Sequence, residues 1–303
     1  ERRGVTPLTA PSAPRGQVGW MRHLHRLTLL LALAACADGG GGPGEPSPPG
    51  GLDPDVPPVT VGTWYHPAAG TTWQWQLDGT PNIGYTVDLY DLDLFEVDPP
   101  TVAAVHGAGQ ALICYFSAGS YENWRPDKGA FLPSDLGKSV PDWAGERWLD
   151  IRSANVQGVM LARLDTAAAK GCDGVEPDWL HNYQTHTGFP LTATDQRAYN
   201  RWLANAAHDR GLAIALKNDL DQIPELVDYF DFAVNEQCHE YDECGVYVPF
   251  TTAGKPVLNA EYRNRWATNP AARDSLCQAA QAEGLRTLVL PVALDDAYRY
   301  ACP

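Results

Sequence analysis

The chain has 303 residues, 44% hydrophobic and 19% charged, enough for one large domain with a sizeable core. Its 22 basic and 37 acidic residues leave a net charge of −15, which argues against general nucleic-acid binding, since that needs a basic footprint. No apolar run reaches the roughly 18 residues of a membrane span, and the seven cysteines fit neither a zinc-ribbon spacing nor a Cys-x-x-Cys redox pair.

Residues 1–20 precede a methionine and read as an over-extended start. Residues 21–35 have a basic beginning, an apolar stretch and small residues at the end, the grammar of a signal peptide. The ending Leu33-Ala34-Ala35-Cys36 resembles the bacterial lipobox, in which Cys36 would carry the lipid; the plainer alternative is an ordinary signal peptide containing a cysteine. Residues 36–61 are rich in Gly and Pro and read as a linker. The expectation is an exported, membrane-anchored lipoprotein, periplasmic or at the cell surface, that touches the membrane through its lipid alone. Without residues 1–35, five Arg and Glu1 are lost, leaving 17 basic against 36 acidic residues and a charge of −19.

From residue 62 to 303, short apolar runs alternate with helical segments. Eight strands are expected, over Trp73–Leu77, Thr86–Tyr90, Ala111–Ser117, Gly174–Asp178, Leu212–Lys217, Phe232–Glu236, Pro256–Glu261 and Thr287–Val292. Between them, Met160–Lys170 ends at Gly171, Tyr199, Trp202, Leu203 and Ala206 recur at helical spacing before Gly211, and Asn269-Pro270 opens a helix that stops at Gly284. Eight strands with interleaved helices predict an α/β fold, a single (β/α)8 TIM-barrel-like domain, with an open doubly wound sheet as the alternative. No glycine-rich phosphate loop supports that alternative. The first two strands lie too close together for a helix to join them.

In such a barrel, chemistry collects where strands end. Those ends carry Asp91 after the second strand, Tyr115 on the third, Glu176 and Asp178 on the fourth, Asn218 after the fifth, Glu236 on the sixth, and Glu261 with Tyr262 on the seventh. They are rich in carboxylates and aromatics and poor in histidine. A carboxylate pair that flanks a bond between aromatic walls suits glycoside hydrolysis: one protonates the leaving oxygen, and the other attacks the anomeric carbon or activates water. Neither a Gly-x-Ser-x-Gly elbow nor a His-Glu-x-x-His motif occurs, and no cofactor or metal is expected. With Cys36 assigned to lipid, Cys238 is expected to pair with Cys244 and Cys277 with Cys302, while Cys114 and Cys172 can pair or remain buried thiols.

Several motifs in order, Trp73-Gln-Trp-Gln-Leu-Asp-Gly79, Tyr90-Asp-Leu-Asp93, Cys114-Tyr-Phe-Ser-Ala-Gly119, Gly171-Cys-Asp-Gly-Val-Glu-Pro-Asp178 and Lys217-Asn218, resemble glycoside-hydrolase family 114. Those are endo-α-1,4-polygalactosaminidases on a (β/α)8-type barrel. The resemblance covers most of residues 62–303 and implies cleavage of galactosamine-containing exopolysaccharide. It implies catalytic acids at the ends of the fourth and sixth strands, held here by Asp178 and Glu236, with Asp178 as nucleophile and Glu236 as acid/base by analogy with other α-glycosidase barrels. Asp91, Tyr115, Glu176, Asn218, Glu261 and Tyr262 are the sugar-binding candidates, and Glu176 is also the substitute should Asp178 fail. Trp179 departs from the Asn expected after that aspartate. The partner implied is a cationic or partly acetylated galactosamine polysaccharide, met by a monomer. A non-catalytic polysaccharide-binding lipoprotein is the alternative.

Overall fold

The computed structural model describes residues 51–303. The expected start, signal peptide, lipidated Cys36 and most of the linker lie outside those residues.

Strands β1 (Trp73–Gln76), β2 (Leu89–Asp93), β3 (Ala111–Ser117), β7 (Gly174–Asp178), β8 (Ala213–Lys217), β9 (Phe232–Glu236), β10 (Val257–Glu261) and β11 (Leu285–Val289) follow one another as parallel neighbours. A two-residue strand, β12 (Tyr300–Ala301), pairs antiparallel with β11 and ends the sheet. Inward residues drawn from β1 through β11, among them Trp73, Trp75, Leu89, Ile113, Ala213, Phe232, Leu258 and Leu288, pack as one cluster, so the sheet curls round on itself. The edge between β1 and β11 is bridged by other means. Trp73 Nε1 donates to the Arg286 carbonyl at 2.8 Å, and Leu77 N–H donates to the Leu294 carbonyl at 3.0 Å. The expected TIM-barrel-like α/β fold is what forms.

Helices α1 (Pro99–Gly107), α2 (Ala154–Lys170), α3 (Ala193–His208) and α8 (Pro270–Glu283) cover the outside with four short helices, α4 (Ile223–Leu226), α5 (Cys238–Tyr241), α6 (Val248–Thr252) and α7 (Asn264–Thr268). Their ends follow from local chemistry. Thr192 and Asp195 exchange the two bonds of a capping box at the start of α3. Asn269 caps α8 before Pro270, and Gly284 ends it at φ 74°. Residues 77–88 join β1 to β2 as a loop.

Three differences from the sequence reading matter. The second strand lies at Leu89–Asp93, so Asp91 and Asp93 belong to it; buried acids inside a strand read as loop residues. The last strand begins at Leu285, directly after the left-handed Gly284. Residues 51–61, assigned to the linker, pack on the barrel. Leu52 joins the core, Tyr229 Oη donates to the Val56 carbonyl, and Asn205 holds Pro57 and Val59. All three cysteine pairs form disulfides: Cys114–Cys172, Cys238–Cys244 and Cys277–Cys302.

The loop after β3 also carries an antiparallel sheet that the sequence reading missed, ordered β4 (Ser120–Glu122), β6 (Glu146–Leu149), β5 (Leu136–Ser139). It starts where Gly119 passes the neighbouring loop so closely that a Cβ there would come 2.2 Å from the Trp179 carbonyl.

Candidate active site

Because side chains alternate along a strand, each barrel strand sends every second residue inward. Low in the barrel these are apolar. Toward the C-terminal ends they become Asp91 on β2, Tyr115 on β3, Glu176 and Asp178 on β7, Lys217 on β8 and Glu236 on β9, followed by Tyr262 just past β10. Lys217 is the hub. Its Nζ lies 3.3 Å from Glu176 Oε1, 3.3 Å from Asp178 Oδ1 and 3.2 Å from Glu236 Oε2, and 4.8 Å from the centre of the Trp75 ring. Burial alone would lower the Lys217 pKa, but the charges of Asp178, Glu236 and Glu176 outweigh it and hold the ammonium well above its ordinary range.

Asp178 and Glu236 each have a tyrosine beside them. Tyr115 Oη donates to Asp178 Oδ2 at 3.3 Å, and Tyr262 Oη donates to Glu236 Oε1 at 2.6 Å. Burial first, then the adjacent carboxylate, pushes both phenols well above the usual range, so both remain donors. Trp179 N–H holds Asp178 Oδ1 at 2.7 Å. Asn218 accepts from Glu236 N–H at 3.1 Å and donates to its Oε2 at 3.4 Å, so it orients Glu236. Backbone strain collects at the same place. Trp179 follows Asp178 at φ 61°, Asn218 and Asp219 follow Lys217 at φ 52° and 48°, and Gln237 follows Glu236 at φ 66°. Left-handed backbone at non-glycine residues is costly and is held by its surroundings. Asn tolerates it better than Trp, which gives the Trp179 departure a physical meaning: that indole is held by edge-on packing against Trp148 at 4.7 Å.

Three candidates are not brought to the open site. Asp91 and Glu176 are fully buried below it. Burial and then the charge of Glu176 hold the Asp91 carboxyl well above its ordinary range; Glu176 is pushed up to about 7, by burial first. Glu261 is also fully buried and points to the opposite face of β10, where its Oε1 accepts the His239 N–H at 2.8 Å. The pleat put Glu261 outside, and depth in the barrel closed off Asp91 and Glu176. Tyr115, Asn218 and Tyr262 do reach the carboxylate pair. His181, buried and with its pKa lowered by burial, lies close enough to feel Asp178 and Lys217, and sequence reasoning missed it.

A cleft of about 870 Å³ lies at the ends of β1, β2 and β3, beside the carboxylate pair's neighbour Tyr115. The loops after β1 and β11 form one side, and the β4–β6 region, with Trp124 and Trp143 both half-exposed, forms another. Tyr115 lines it and ties it to Asp178. Arg125 is its one basic lining residue against Asp78, Asp93, Glu96, Asp98, Glu122 and Glu146. Cys238, His239 and Cys244 cluster at metal-ligand distances, but both sulfurs are taken up in a disulfide.

Residues 55–302 match the family model for glycoside-hydrolase family GH114. An uncharacterized protein of Deinococcus radiodurans is 32% identical over 235 residues, covering 69% of this chain and 74% of that one. Ega3 of Aspergillus fumigatus, solved in complex with galactosamine, is 42% identical at a TM-score of 0.76, covering 80% of this chain and 99% of that one. The glycoside hydrolase domain of PelA from Pseudomonas aeruginosa shares the fold at 16% identity, with a TM-score of 0.59 over 75% of this chain and 96% of that one.

Proposed function

The chain belongs to glycoside-hydrolase family GH114 and is a glycosidase, and from that premise we propose that it cleaves α-1,4-linked galactosamine or N-acetylgalactosamine exopolysaccharide from within, using Asp178 and Glu236. The observation that carries this reading is the single ammonium of Lys217 on β8 within 3.3 Å of both Asp178 and Glu236 at the ends of the flanking strands β7 and β9, with Tyr115, which lines the cleft, bonded to Asp178. The two contacting oxygens can then be no farther apart than about 6.5 Å, which admits the ~5–5.5 Å spacing of retaining enzymes, the outcome adopted in this reading.

In that mechanism Asp178 attacks the anomeric carbon while Glu236 gives its proton to the leaving glycosidic oxygen. Glu236 then takes a proton from water, which displaces Asp178 and restores both groups. Asp178 Oδ2, held only by Tyr115, is the freer oxygen for the attack. Lys217 offsets the charge of Asp178, and that of Glu236 once its proton is given up, and keeps both side chains in place. The galactosamine in the Ega3 complex supports the sugar class, and the acidic cleft supports a substrate with free amines, which are cationic near neutral pH.

Purified polygalactosamine is the test. Release of oligosaccharides with the α-anomer formed first supports the reading. Binding without cleavage would favour the polysaccharide-binding alternative. Anchoring rests on residues 21–36, and a Cys36→Ser chain that stays with membranes would remove it.

A further inference from the structure

The wall of the cleft built by β4 and β6 holds a carboxylate that the mechanism above does not use. Asp93, Glu122 and Glu146 are all buried there, and Glu122 and Glu146 face each other across the ladder. Arg125 is spent on the first two, with Nη2 at 2.7 Å from Asp93 Oδ2 and 2.8 Å from Glu122 Oε1. Glu146 has no cation of its own. Its Oε2 accepts from Ser120 Oγ at 2.6 Å, and Ser120 is held in turn by Ser117 Oγ at 2.7 Å, the residue paired with Asp178 across β3 and β7. Among the described residues nothing bonds Oε1, and Glu146 lines the cleft although it is only 6% exposed.

We propose that Glu146 is a specificity-determining residue that receives the ammonium group of an unacetylated galactosaminyl unit seated in the cleft beside the carboxylate pair. The assignment rests on the galactosamine-polymer reading and adds to it the residue that distinguishes the free amine from the amide. A buried carboxylate without a counter-ion is costly, and a ligand ammonium relieves that cost where an uncharged acetamido group does not. Burial pushes Glu146 up to about 7; Glu122 and Asp178 add to the rise, while Ser120 and Arg125 oppose it. An incoming cation favours the charged form. Trp124 and Trp143, 50% and 55% exposed, line the same cleft and add aromatic surface of the kind that attracts a sugar and its cation.

The test is binding, in an Asp178→Asn background that cannot turn over. Oligomers of galactosamine and of N-acetylgalactosamine are titrated calorimetrically against that chain and against the same chain carrying Glu146→Gln, which keeps an acceptor for Ser120. The expected result is a roughly 10- to 100-fold loss of affinity for the unacetylated oligomer, the scale of a charge-assisted hydrogen bond, with less than about threefold change for the acetylated one. Glu146→Asp, which keeps the charge, is expected to retain the preference and guards against a packing defect. Equal losses on both oligomers, or none on either, overturn the assignment. A parent chain that binds neither oligomer overturns the galactosamine reading together with it.

Discussion

Low in the barrel, Trp73, Leu89, Ala111, Ala213, Phe232 and Leu258 fill the interior with apolar surface. Toward the C-terminal ends of the barrel strands, still on the inward face, stand Asp91, Glu176, Lys217 and Glu236. The lower layer is held by burial of apolar area and close packing. The upper layer buries one ammonium and several carboxylates, and would lose stability if any charge lacked its partner. Left-handed residues follow directly after Asp178, Lys217 and Glu236 but not after the apolar layer. The contrast teaches that one fold feature, the inward pleat, serves apolar packing at one end and gathers charge at the other, and that four of the eight left-handed non-glycine residues among the described ones directly follow that charged layer.

The contrast breaks most sharply at the carboxylate pair. Asp178→Asn and Glu236→Gln are each expected to reduce hydrolysis by on the order of a thousandfold or more, because an amide can neither form the glycosyl ester nor transfer the proton. Both variants should unfold near the wild-type denaturant midpoint, since Lys217 keeps its remaining carboxylate partners. Near-wild-type turnover in either would remove that residue from the mechanism.

The lower layer should respond in the opposite sense. Phe232 is fully buried, and Phe232→Ala is expected to cost about 3–5 kcal/mol of stability by cavity formation. What folded enzyme remains should keep its KM. A large rise in KM with unchanged stability would mean that the two layers are not separable.

Glu261 extends the comparison to the outer face of the sheet. Burial raises its carboxyl to about 7. The folded chain therefore keeps a proton that the unfolded chain sheds between roughly pH 4.5 and 7. The stability associated with this group is greatest below that window and is lost as pH rises through it. The difference in unfolding free energy between wild type and Glu261→Gln should fall across the window by up to about 3 kcal/mol. A pH-independent difference would show that Glu261 is ionised in the fold throughout.

The smallest effect is expected at Asp91. Burial and then Glu176 raise its carboxyl well above the ordinary range, which favours the neutral form, so Asp91→Asn is expected to change stability by less than about 1 kcal/mol. Loss of several kcal/mol would mean that Asp91 is ionised and acts as a further counter-charge to Lys217, beyond Glu176, Asp178 and Glu236.

Much of this was legible in the sequence. The strands Ala111–Ser117, Gly174–Asp178 and Phe232–Glu236 have the expected bounds; Ala111–Ser117 and Phe232–Glu236 open on apolar runs, and Gly174–Asp178 follows closely on the helix stop at Gly171. Helix α8 follows its Asn-Pro start and Gly stop. The second strand was misplaced because Asp91 and Asp93 carry the pattern of a loop while lying inside the sheet. The β4–β6–β5 sheet escaped notice because its strands of three and four residues have no apolar period, and with it went Glu146 and the tryptophans of the cleft.

Local chemistry along the chain was enough to determine the βα order, most helix ends and the concentration of carboxylates at strand ends, since caps, turns and pleats depend on near neighbours. Only the tertiary structure decided which of those carboxylates keep exposed surface, which are enclosed, and which face away. Asp178 and Glu176 differ by two residues and share one face, yet depth in a curled sheet leaves one at the mouth and the other without exposed surface. Depth, and the charge that Lys217 shares among its neighbours, arise from strands far apart in sequence coming together around one interior.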